Sequence, residues 1–254
     1  MRAGVLNLPK ERFDRIIAVS DLHGYDETFE RLLKTTGFSE RDALVLMGDY
    51  IERGPSCLQL LHRIMELNCH ENVFVLAGNC DNLLEEVFES RYRGDIIRYL
   101  KNNSHTIVHE MLAERGRPFS DCTAPEDIQD IISRYYARER MFLASLPHIA
   151  DAGKFVFVHA GLDPVPISEQ IADRCMKRRN FFEESSAFPF TLVVGHSPVQ
   201  NLRSDGRSAP LFLSDRNIWW IDGGVGIFPG SCMNALVLDS DGQVRIYSAA
   251  TDNN

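Results

Sequence analysis

The sequence predicts an α/β fold in which two stacked, mixed β-sheets are flanked by helices, with a helical insertion next to the functional site. In the first third of the chain, short apolar runs alternate with amphipathic segments, the pattern of strand–helix units in a mostly parallel sheet. In the last part, apolar runs follow one another with few helices between them. We expect one domain that covers residues 1–254, although length alone allows one or two.

The front of the chain contains three strand–helix units. Each apolar run is short and ends in a turn signal, which is typical of a buried strand. The predicted strands are Arg15–Ser20, Ala43–Met47 and Val73–Ala77, and the predicted helices lie near Asp26–Thr35, Ser56–Leu67 and Asn82–Glu89.

Residues 92–144 are predicted to form a helical insertion within this domain. Apolar residues such as Ile96 and Leu100 recur at helical spacing,. Gly, Pro, Ser and Asp in Arg115–Pro125 indicate a loop,. A second helix is expected from Pro125 to Phe142. Because both ends of the insertion lie between predicted strands, it is not expected to fold as a separate domain.

The back of the chain is predicted to be largely a β meander. Its turn sequence Asp239-Ser240-Asp241-Gly242 indicates a hairpin,. The predicted strands are Phe155–Val158, Thr191–Val194, Ile218–Ile221, Ala235–Leu238 and Val244–Tyr247.

Composition favours a soluble, cytoplasmic protein. No apolar run approaches the ~20 residues of a membrane span, and Met1 to Lys10 lacks the features of a signal peptide,. The six cysteines are scattered without a Cys-x-x-Cys pair, so we expect reduced thiols. The net charge is −9 with no basic tract, which argues against a nucleic-acid partner but not against a small phosphorylated substrate drawn to metal ions.

Five of the predicted strands end in polar tips that carry metal-ligand side chains. Sites in α/β sheets lie at the carboxyl ends of strands, and carboxylate, amide and imidazole ligands suit divalent cations. Any one tip is weak evidence, because turn residues and core histidines are common, but five in one chain indicate a site. The tips are Asp21-Leu22-His23-Gly24, Gly48-Asp49-Tyr50-Ile51-Glu52-Arg53-Gly54, Gly78-Asn79-Cys80-Asp81, His159-Ala160-Gly161 and Gly195-His196-Ser197-Pro198.

In this order the tips resemble the calcineurin-like metallophosphoesterases. They are most similar to the serine/threonine-phosphatase branch, which includes bacterial diadenosine-tetraphosphate hydrolases and PrpE-like phosphatases. The segment Trp219-Trp220-Ile221-Asp222-Gly223-Gly224 also resembles this branch. The resemblance extends from Ile16 to Leu238 and implies an αββα sandwich.

The resemblance implies a site for two metal ions, with Asp49 as the bridging ligand. A hydroxide between the two cations would attack phosphorus. Manganese or iron is the expected metal, and zinc fits the same ligands. The implied ligands are Asp21, His23 and Asp49 for the first ion, and Asp49, Asn79, His159 and His196 for the second.

Two arginines are candidates for binding phosphate. Arg53 lies in residues 48–54, hereafter the second motif, and the resemblance implies that it binds phosphate. A guanidinium matches phosphate bidentately. The resemblance implies a second phosphate-binding arginine, in a segment with the pattern Trp-x-Arg-x-x-Phe. Arg178 falls at the arginine position of this pattern, although Met176 replaces the tryptophan. Alternatively, Arg178 belongs to a solvated basic patch. Asp222 either orients a ligand or is a turn residue at a strand end.

The third tip departs from the branch at the leaving-group end of the site. The branch has a histidine and an aspartate where this chain has Cys80 and Glu52, and that pair is thought to protonate the leaving oxygen. A thiol is a poor proton donor beside cations. We therefore expect a preference for good leaving groups over phosphoserine, with Glu52 or Asp81 as alternative donors. Cys80 itself is a packing residue, a soft metal ligand or a redox-sensitive thiol.

The predicted function is a dinuclear metal-dependent phosphoesterase that acts on a small phosphorylated molecule or nucleotide. A serine/threonine protein phosphatase and a metal-binding module without turnover are the alternatives. His105 and His109, four residues apart in the insertion, either face the site or lie on the surface.

Overall fold

The computed structural model describes residues 1–89, 93–120 and 122–251, and within these ranges eleven strands form two mixed sheets. The strands are β1 (Val5–Asn7), β2 (Arg15–Val19), β3 (Asp42–Leu46), β4 (Val73–Val75), β5 (Ile149–Asp151), β6 (Phe155–Val158), β7 (Thr191–Val194), β8 (Leu211–Leu213), β9 (Ile218–Trp220), β10 (Cys232–Asp239) and β11 (Val244–Ala250). The front sheet has the order β11-β10-β2-β3-β4, and the back sheet has the order β1-β5-β6-β7-β9-β8.

Alternation along β2 shows how the layers form. Ile16 and Ala18 pack into a buried cluster with Phe157 of the back sheet, whereas Ile17 and Val19 pack into a different cluster with the helices. Successive side chains of a strand point to opposite faces, so one face of the front sheet meets the back sheet and the other face meets helices. The predicted class of two stacked mixed sheets with outer helices is confirmed.

Helices cover the outer faces of both sheets. The insertion begins at 92, which lies outside the described residues, and its helices α4 to α7 share one buried cluster with α1 and α2, which supports the interpretation that the insertion belongs to the same domain. The helices are α1 (Asp26–Thr36), α2 (Cys57–Leu67), α3 (Leu83–Glu89), α4 (Arg93–Asn102), α5 (Ile107–Glu114), α6 (Pro125–Tyr135), α7 (Ala137–Ser145), α8 (Ala172–Lys177), α9 (Phe181–Glu184) and α10 (Val199–Leu202).

Two predictions about these elements are wrong. The back of the chain is not a meander, because β6, β7 and β9 are parallel neighbours and only β10 and β11 form the expected hairpin. The long 159–190 connection carries short helices, which allows a parallel crossover. The helix expected from Pro125 to Phe142 is two helices, because Tyr136 leaves helical geometry at φ −128°.

Strand register brings the functional loops to one level. Val19 of β2 pairs with Leu46 of β3, which pairs with Val75 of β4. In the back sheet, Val158 of β6 pairs with Val194 of β7. Parallel strands whose last residues are in register deliver their following loops to the same edge of the sheet. Both sheets therefore present their polar tips at one end of the sandwich.

None of the helices in the described ranges combines the length and the hydropathy that crossing a membrane requires.

Candidate metal centre

Loops from both sheets carry the six predicted ligands. The front sheet supplies Asp21 and His23 after β2, Asp49 after β3 and Asn79 after β4, and the back sheet supplies His159 after β6 and His196 after β7.

Asp49 lies between two imidazoles and is only 2% exposed. Its Oδ2 is 3.6 Å from Nε2 of His23, and its Oδ1 is 3.5 Å from Nε2 of His159. The amide oxygen of Asn79 is 3.1 Å from the same His159 nitrogen. The two carboxylate oxygens of Asp49 thus face different imidazoles, which is the arrangement that a bridging ligand needs.

Asp21 and His196 complete this arrangement from opposite sheets. The His196 backbone N–H donates to Oδ2 of Asp21 at 3.0 Å, which ties the last ligand loop to the first. Ligand atoms of Asp21, Asp49 and His159 all lie within 4.8 Å of one another. The rings of His159 and His196 have centroids 5.1 Å apart. The structure therefore brings all six predicted ligands together.

Backbone carbonyls orient two of the imidazoles. Nδ1 of His159 is 2.9 Å from the carbonyl of Met47, and Nδ1 of His23 is 3.2 Å from the carbonyl of Ile51. When Nδ1 carries the proton and donates, Nε2 keeps its lone pair for a cation. These contacts favour, for each histidine, the tautomer that a metal ligand requires.

Backbone conformation at the ligands is unusual. Asp21, His23, Asp49 and His196 all have left-handed φ values, between 44° and 64°. Such values are costly for residues other than glycine and concentrate at functional sites. These left-handed conformations form the tight loops that direct the ligand side chains toward one another.

Buried negative charge dominates the centre. Burial raises the pKa of Asp49, but the neighbouring His159 and His23 outweigh this effect and lower it to about 2. Burial and the charge of Asp21 raise the pKa of Asp222 well above its usual range, and Oδ2 of Asp222 has no hydrogen-bond partner. Buried carboxylates without compensating charge are expensive, so this oxygen-and-imidazole set fits divalent cations. Asp222 is placed close to the ligands, as the hypothesis that it orients one of them requires.

Arg53 reaches into the centre from the second motif. Its Nη1 is 2.6 Å from Nε2 of His23. A cation bound to His23 would need the same lone pair, so Arg53 must rotate away when one binds there. The released guanidinium would then lie at the edge of the metal centre, where a phosphate would meet it.

Asp81 joins the two loops that carry Asp49 and Asn79. Its Oδ2 accepts the backbone N–H groups of Asp49 and Gly78, and its Oδ1 accepts that of Tyr50, each at 2.8 Å. Both oxygens of Asp81 are thus engaged in holding these two loops together.

Cys80 lies beside the ligands and is 3% exposed. Its sulfur lies within 4.8 Å of ligand atoms of His23 and Asp49. Burial and the charge of Asp49 raise the pKa of its thiol well above the usual range. In the absence of cations these surroundings favour a neutral, buried thiol, and its position beside His23 and Asp49 keeps Cys80 among the candidate metal ligands.

Glu52 does not point to Cys80 as a paired carboxylate would. Its Oε2 accepts a short hydrogen bond from the hydroxyl of Tyr99 in α4, and its Oε1 accepts the N–H of Ile107 at 3.4 Å. Burial raises the pKa of Glu52 to about 7. Sequence reasoning missed the contact between Tyr99 and Glu52, because the helical pattern of the insertion does not show which distant loop each of its residues meets.

The predicted phosphate role of Arg178 is not supported by its contacts. Its Nη1 donates to the carbonyl of Leu162 and to Oδ1 of Asp163, the latter at 2.8 Å, and its Nη2 is 3.3 Å from Glu184. The next residue, Arg179, is exposed, and its charge lowers the pKa of His196 after the larger effects of burial and His159. Arg179 is therefore better placed than Arg178 to meet an anion.

Glu110 links the insertion to the second motif. Its two oxygens accept the N–H groups of Cys57 and Leu58 at 2.7 and 2.8 Å, at the start of α2. A carboxylate there satisfies unpaired helix N–H groups. His105 is 2.7 Å from Glu110, whereas His109 packs against Phe119. Of the two histidines, His105 is therefore the one directed toward the functional end of the molecule.

The comparisons with known proteins agree with this geometry. The sequence profile named Calcineurin-like phosphoesterase matches residues 14–222. The chain belongs to this family. The match includes all six candidate ligands and Asp222.

Curated relatives in this family are named symmetrical bis(5'-nucleosyl)-tetraphosphatase. The chain is 42% identical over 78 residues to the one from Acidovorax sp. (strain JS42), which is 30% of this chain and 27% of the relative. It is 32% identical over 150 residues to the one from Nitrosospira multiformis, which is 59% of this chain and 44% of the relative. The chain therefore spans less than half the length of either relative.

Solved structures support the family fold. A putative diadenosine tetraphosphatase matches with a TM-score of 0.64 at 19% identity, over 97% of this chain and 98% of that one. A protein serine/threonine phosphatase from Saccharomyces cerevisiae matches with a TM-score of 0.60 at 14% identity, over 99% of this chain and 84% of that one. At these identities the likeness concerns the fold alone.

Proposed function

We propose that this protein is a metal-dependent phosphoesterase that hydrolyses a phosphate ester or anhydride of a small molecule or nucleotide. The observation that carries the proposal is the position of Asp49, whose two oxygens face His23 and His159 at 3.6 and 3.5 Å. Two cations are the expected cofactor, with manganese or iron favoured and zinc possible. Bound cations would lower the pKa of a water and neutralise phosphoryl oxygens.

The chain's own residues would then position the substrate. Arg53 would bind phosphate oxygens through its fork of donors, and we assign the second phosphate contact to Arg179 instead of Arg178. Asp222 would hold its ligand neighbours in place. The names of the relatives favour a nucleotide substrate over a phosphoprotein.

A pocket beside Arg53 supports a substrate with a planar ring. It has a volume of about 510 Å³, and its walls include Tyr25, Pro55, Ile227 and Phe228. Gly226 forms part of the wall and lies so close to Arg53 that an added Cβ would be 3.1 Å from its Cβ. The pocket therefore begins where the phosphate would be held. An aromatic wall next to a phosphate-binding arginine suits a nucleoside or aryl phosphate.

The direct test measures inorganic phosphate released from p-nitrophenyl phosphate, and the nucleotides formed when diadenosine tetraphosphate is cleaved. We expect turnover of both with Mn²⁺, Fe²⁺ or Zn²⁺, loss of activity with a chelator, and recovery when metal is returned. Metal binding without hydrolysis of either substrate would favour the non-catalytic alternative. Turnover of a phosphoserine peptide in preference to both would favour a protein phosphatase.

A Phe228→Ala variant tests the pocket. Stacking of a base on an aromatic side chain contributes roughly 1–3 kcal/mol, so we expect KM for diadenosine tetraphosphate to rise by about 5-fold or more. KM for tripolyphosphate, which has no ring, should not change. The control is Phe212→Ala, since Phe212 is an exposed aromatic residue on the edge strand β8. Equal changes for both substrates would argue against ring binding in this pocket.

A further inference from the structure

A second group of candidate metal ligands lies where the insertion meets the start of α2. It consists of Cys57, His105 and Glu110, and none of them is among the six ligands of the candidate metal centre. The cysteine sulfur, an imidazole nitrogen and a carboxylate oxygen all lie within 4.8 Å of one another. In the described ranges, the other groups with such spacing both include Asp49. Cys57, His105 and Glu110 are therefore a separate set of ligands.

Glu110 holds this group together without a metal. Its Oε1 is 2.7 Å from the backbone N of Cys57 and 2.7 Å from Nε2 of His105, and its Oε2 accepts the N–H of Leu58 at 2.8 Å. The two N–H groups lie at the start of a helix, where they have no partner within the helix itself. A carboxylate oxygen has two lone pairs. A cation would therefore take the one that faces His105 and leave the helix N–H groups satisfied.

The surroundings of the Cys57 thiol favour a positive ion. Cys57 is fully buried, and burial raises the pKa of its thiol, with further increases from the charges of Glu110 and Glu52. The thiol is therefore neutral when no metal is bound, and it donates a weak hydrogen bond to the carbonyl of Gly54 at 3.4 Å,. The same two carboxylates attract a cation, and a thiol that binds a metal ion loses its proton outright.

The chemistry of these three side chains suits zinc. Zinc is borderline soft, and proteins bind it through thiolate, imidazole and carboxylate groups, in some sites with three protein ligands and an open fourth position. The six ligands of the candidate metal centre include no thiolate. His105 also lines the pocket beside Arg53, and its side chain is 37% exposed. A zinc ion can therefore enter from this pocket, and water would fill the fourth position.

We propose that Cys57, His105 and Glu110 bind a zinc ion that fastens the insertion to the start of α2. This ion is separate from the candidate metal centre, so the proposed function does not require it. On binding, the thiol gives its proton to water, a bond forms between zinc and the Cys57 sulfur, and a neutral imidazole and a carboxylate complete the protein ligands. Because Cys57 belongs to the core and the other two ligands to the insertion, the ion would stabilise the contact between them.

The first test is a Co²⁺ titration of the full chain, with cobalt in place of spectroscopically silent zinc. A thiolate ligand gives a charge-transfer absorption in the near ultraviolet, whereas oxygen and imidazole ligands do not. We expect this band in the wild type and in Cys80→Ser, and its loss in Cys57→Ser. Cys80→Ser is the matched control, because Cys80 is the buried cysteine beside ligand atoms of His23 and Asp49.

A His105→Ala variant supplies an independent measurement. Zinc bound at saturation should fall by about one ion per chain. At about 100 times the Kd of this site, the increase in Tm caused by zinc should be about 5 °C smaller than in the wild type. The control is His109→Ala, which removes a histidine of α5 that packs against Phe119 and lies outside the ligand group. It should keep the wild-type zinc content and the wild-type increase in Tm.

A thiolate band that persists in full in Cys57→Ser, or the absence of such a band from the wild type, would overturn the proposal. Unchanged zinc content in His105→Ala would overturn it as well. If Cys57→Ser does not fold, the measurements on His105→Ala decide the question. Failure of the wild type to hydrolyse any phosphate substrate would count against the proposed function, while the band and the zinc content would still report on this site.

Discussion

An Asp49→Asn variant is expected to lose phosphate release by about 10³-fold or more, because the lost metal interactions amount to several kcal/mol of transition-state stabilisation. Asp49 directs one oxygen toward His23 and the other toward His159. In asparagine one of these atoms becomes an NH₂ group, which has no lone pair to offer a cation. Asparagine tolerates the left-handed φ of 57°,, so the loop itself should persist. The measurements are kcat on p-nitrophenyl phosphate and metal content per chain.

The control for this variant is Asp215→Asn. Asp215 is an aspartate whose side chain is 73% exposed, so its substitution should change neither metal content nor activity. Full metal content in Asp49→Asn, with activity within about tenfold of the wild type, would contradict the bridging role.

A Gly48→Ala variant is expected to lower the free energy of unfolding by about 3 kcal/mol or more, through overpacking and backbone strain together. An added Cβ would lie 2.3 Å from the backbone N of Gly78 and 2.5 Å from its Cα. Backbone atoms cannot move aside as a flexible side chain can. The loops that carry Asp49 and Asn79 would therefore separate, and metal affinity should fall with stability. Urea unfolding of the metal-free protein measures the first effect, and metal titration measures the second.

Gly206→Ala isolates the steric part of this effect. Gly206 also has a left-handed φ, of 64°, but nothing lies within 4 Å of the position of its added Cβ. This variant should lose only the conformational cost of about 1–2 kcal/mol and should keep full metal affinity. Equal destabilisation by the two substitutions would mean that the close approach to Gly78 is unimportant.

The fold was predictable where one segment carried a complete local signal. The apolar run of β2 ends at a turn, and its pairing with β3 follows from the helix between them. The strands β1, β5 and β8 were missed because each has only three residues and, unlike the equally short β4 and β9, none belongs to a predicted apolar run. The parallel order of β6, β7 and β9 depends on the path of the long connections. The interruption between α6 and α7 at Tyr136 is marked by neither glycine nor proline. These features arise from tertiary packing rather than from local sequence.

The clustering of the candidate ligands was predictable for a similar reason, since each one lies in the loop that follows a strand. The surroundings of Arg178 were not predictable, because α8 ends at Lys177 and the extended backbone after it sets the direction of the arginine side chains. That direction depends on Asp163 and Glu184, which hold Arg178. The contact between Tyr99 and Glu52 joins residues far apart in the sequence, and helical periodicity does not specify which residue of an exposed face meets a distant loop.

The two carboxylates that connect the insertion to the second motif have a consequence for how such enzymes diversify. Glu52 belongs to the core and binds the insertion, whereas Glu110 belongs to the insertion and supports the core. The two parts therefore cannot be exchanged independently. A chimera that receives the insertion of a relative would lose Tyr99 and the support of α2 in the same step. We expect new specificities in this lineage to arise by residue changes within the insertion rather than by its wholesale replacement.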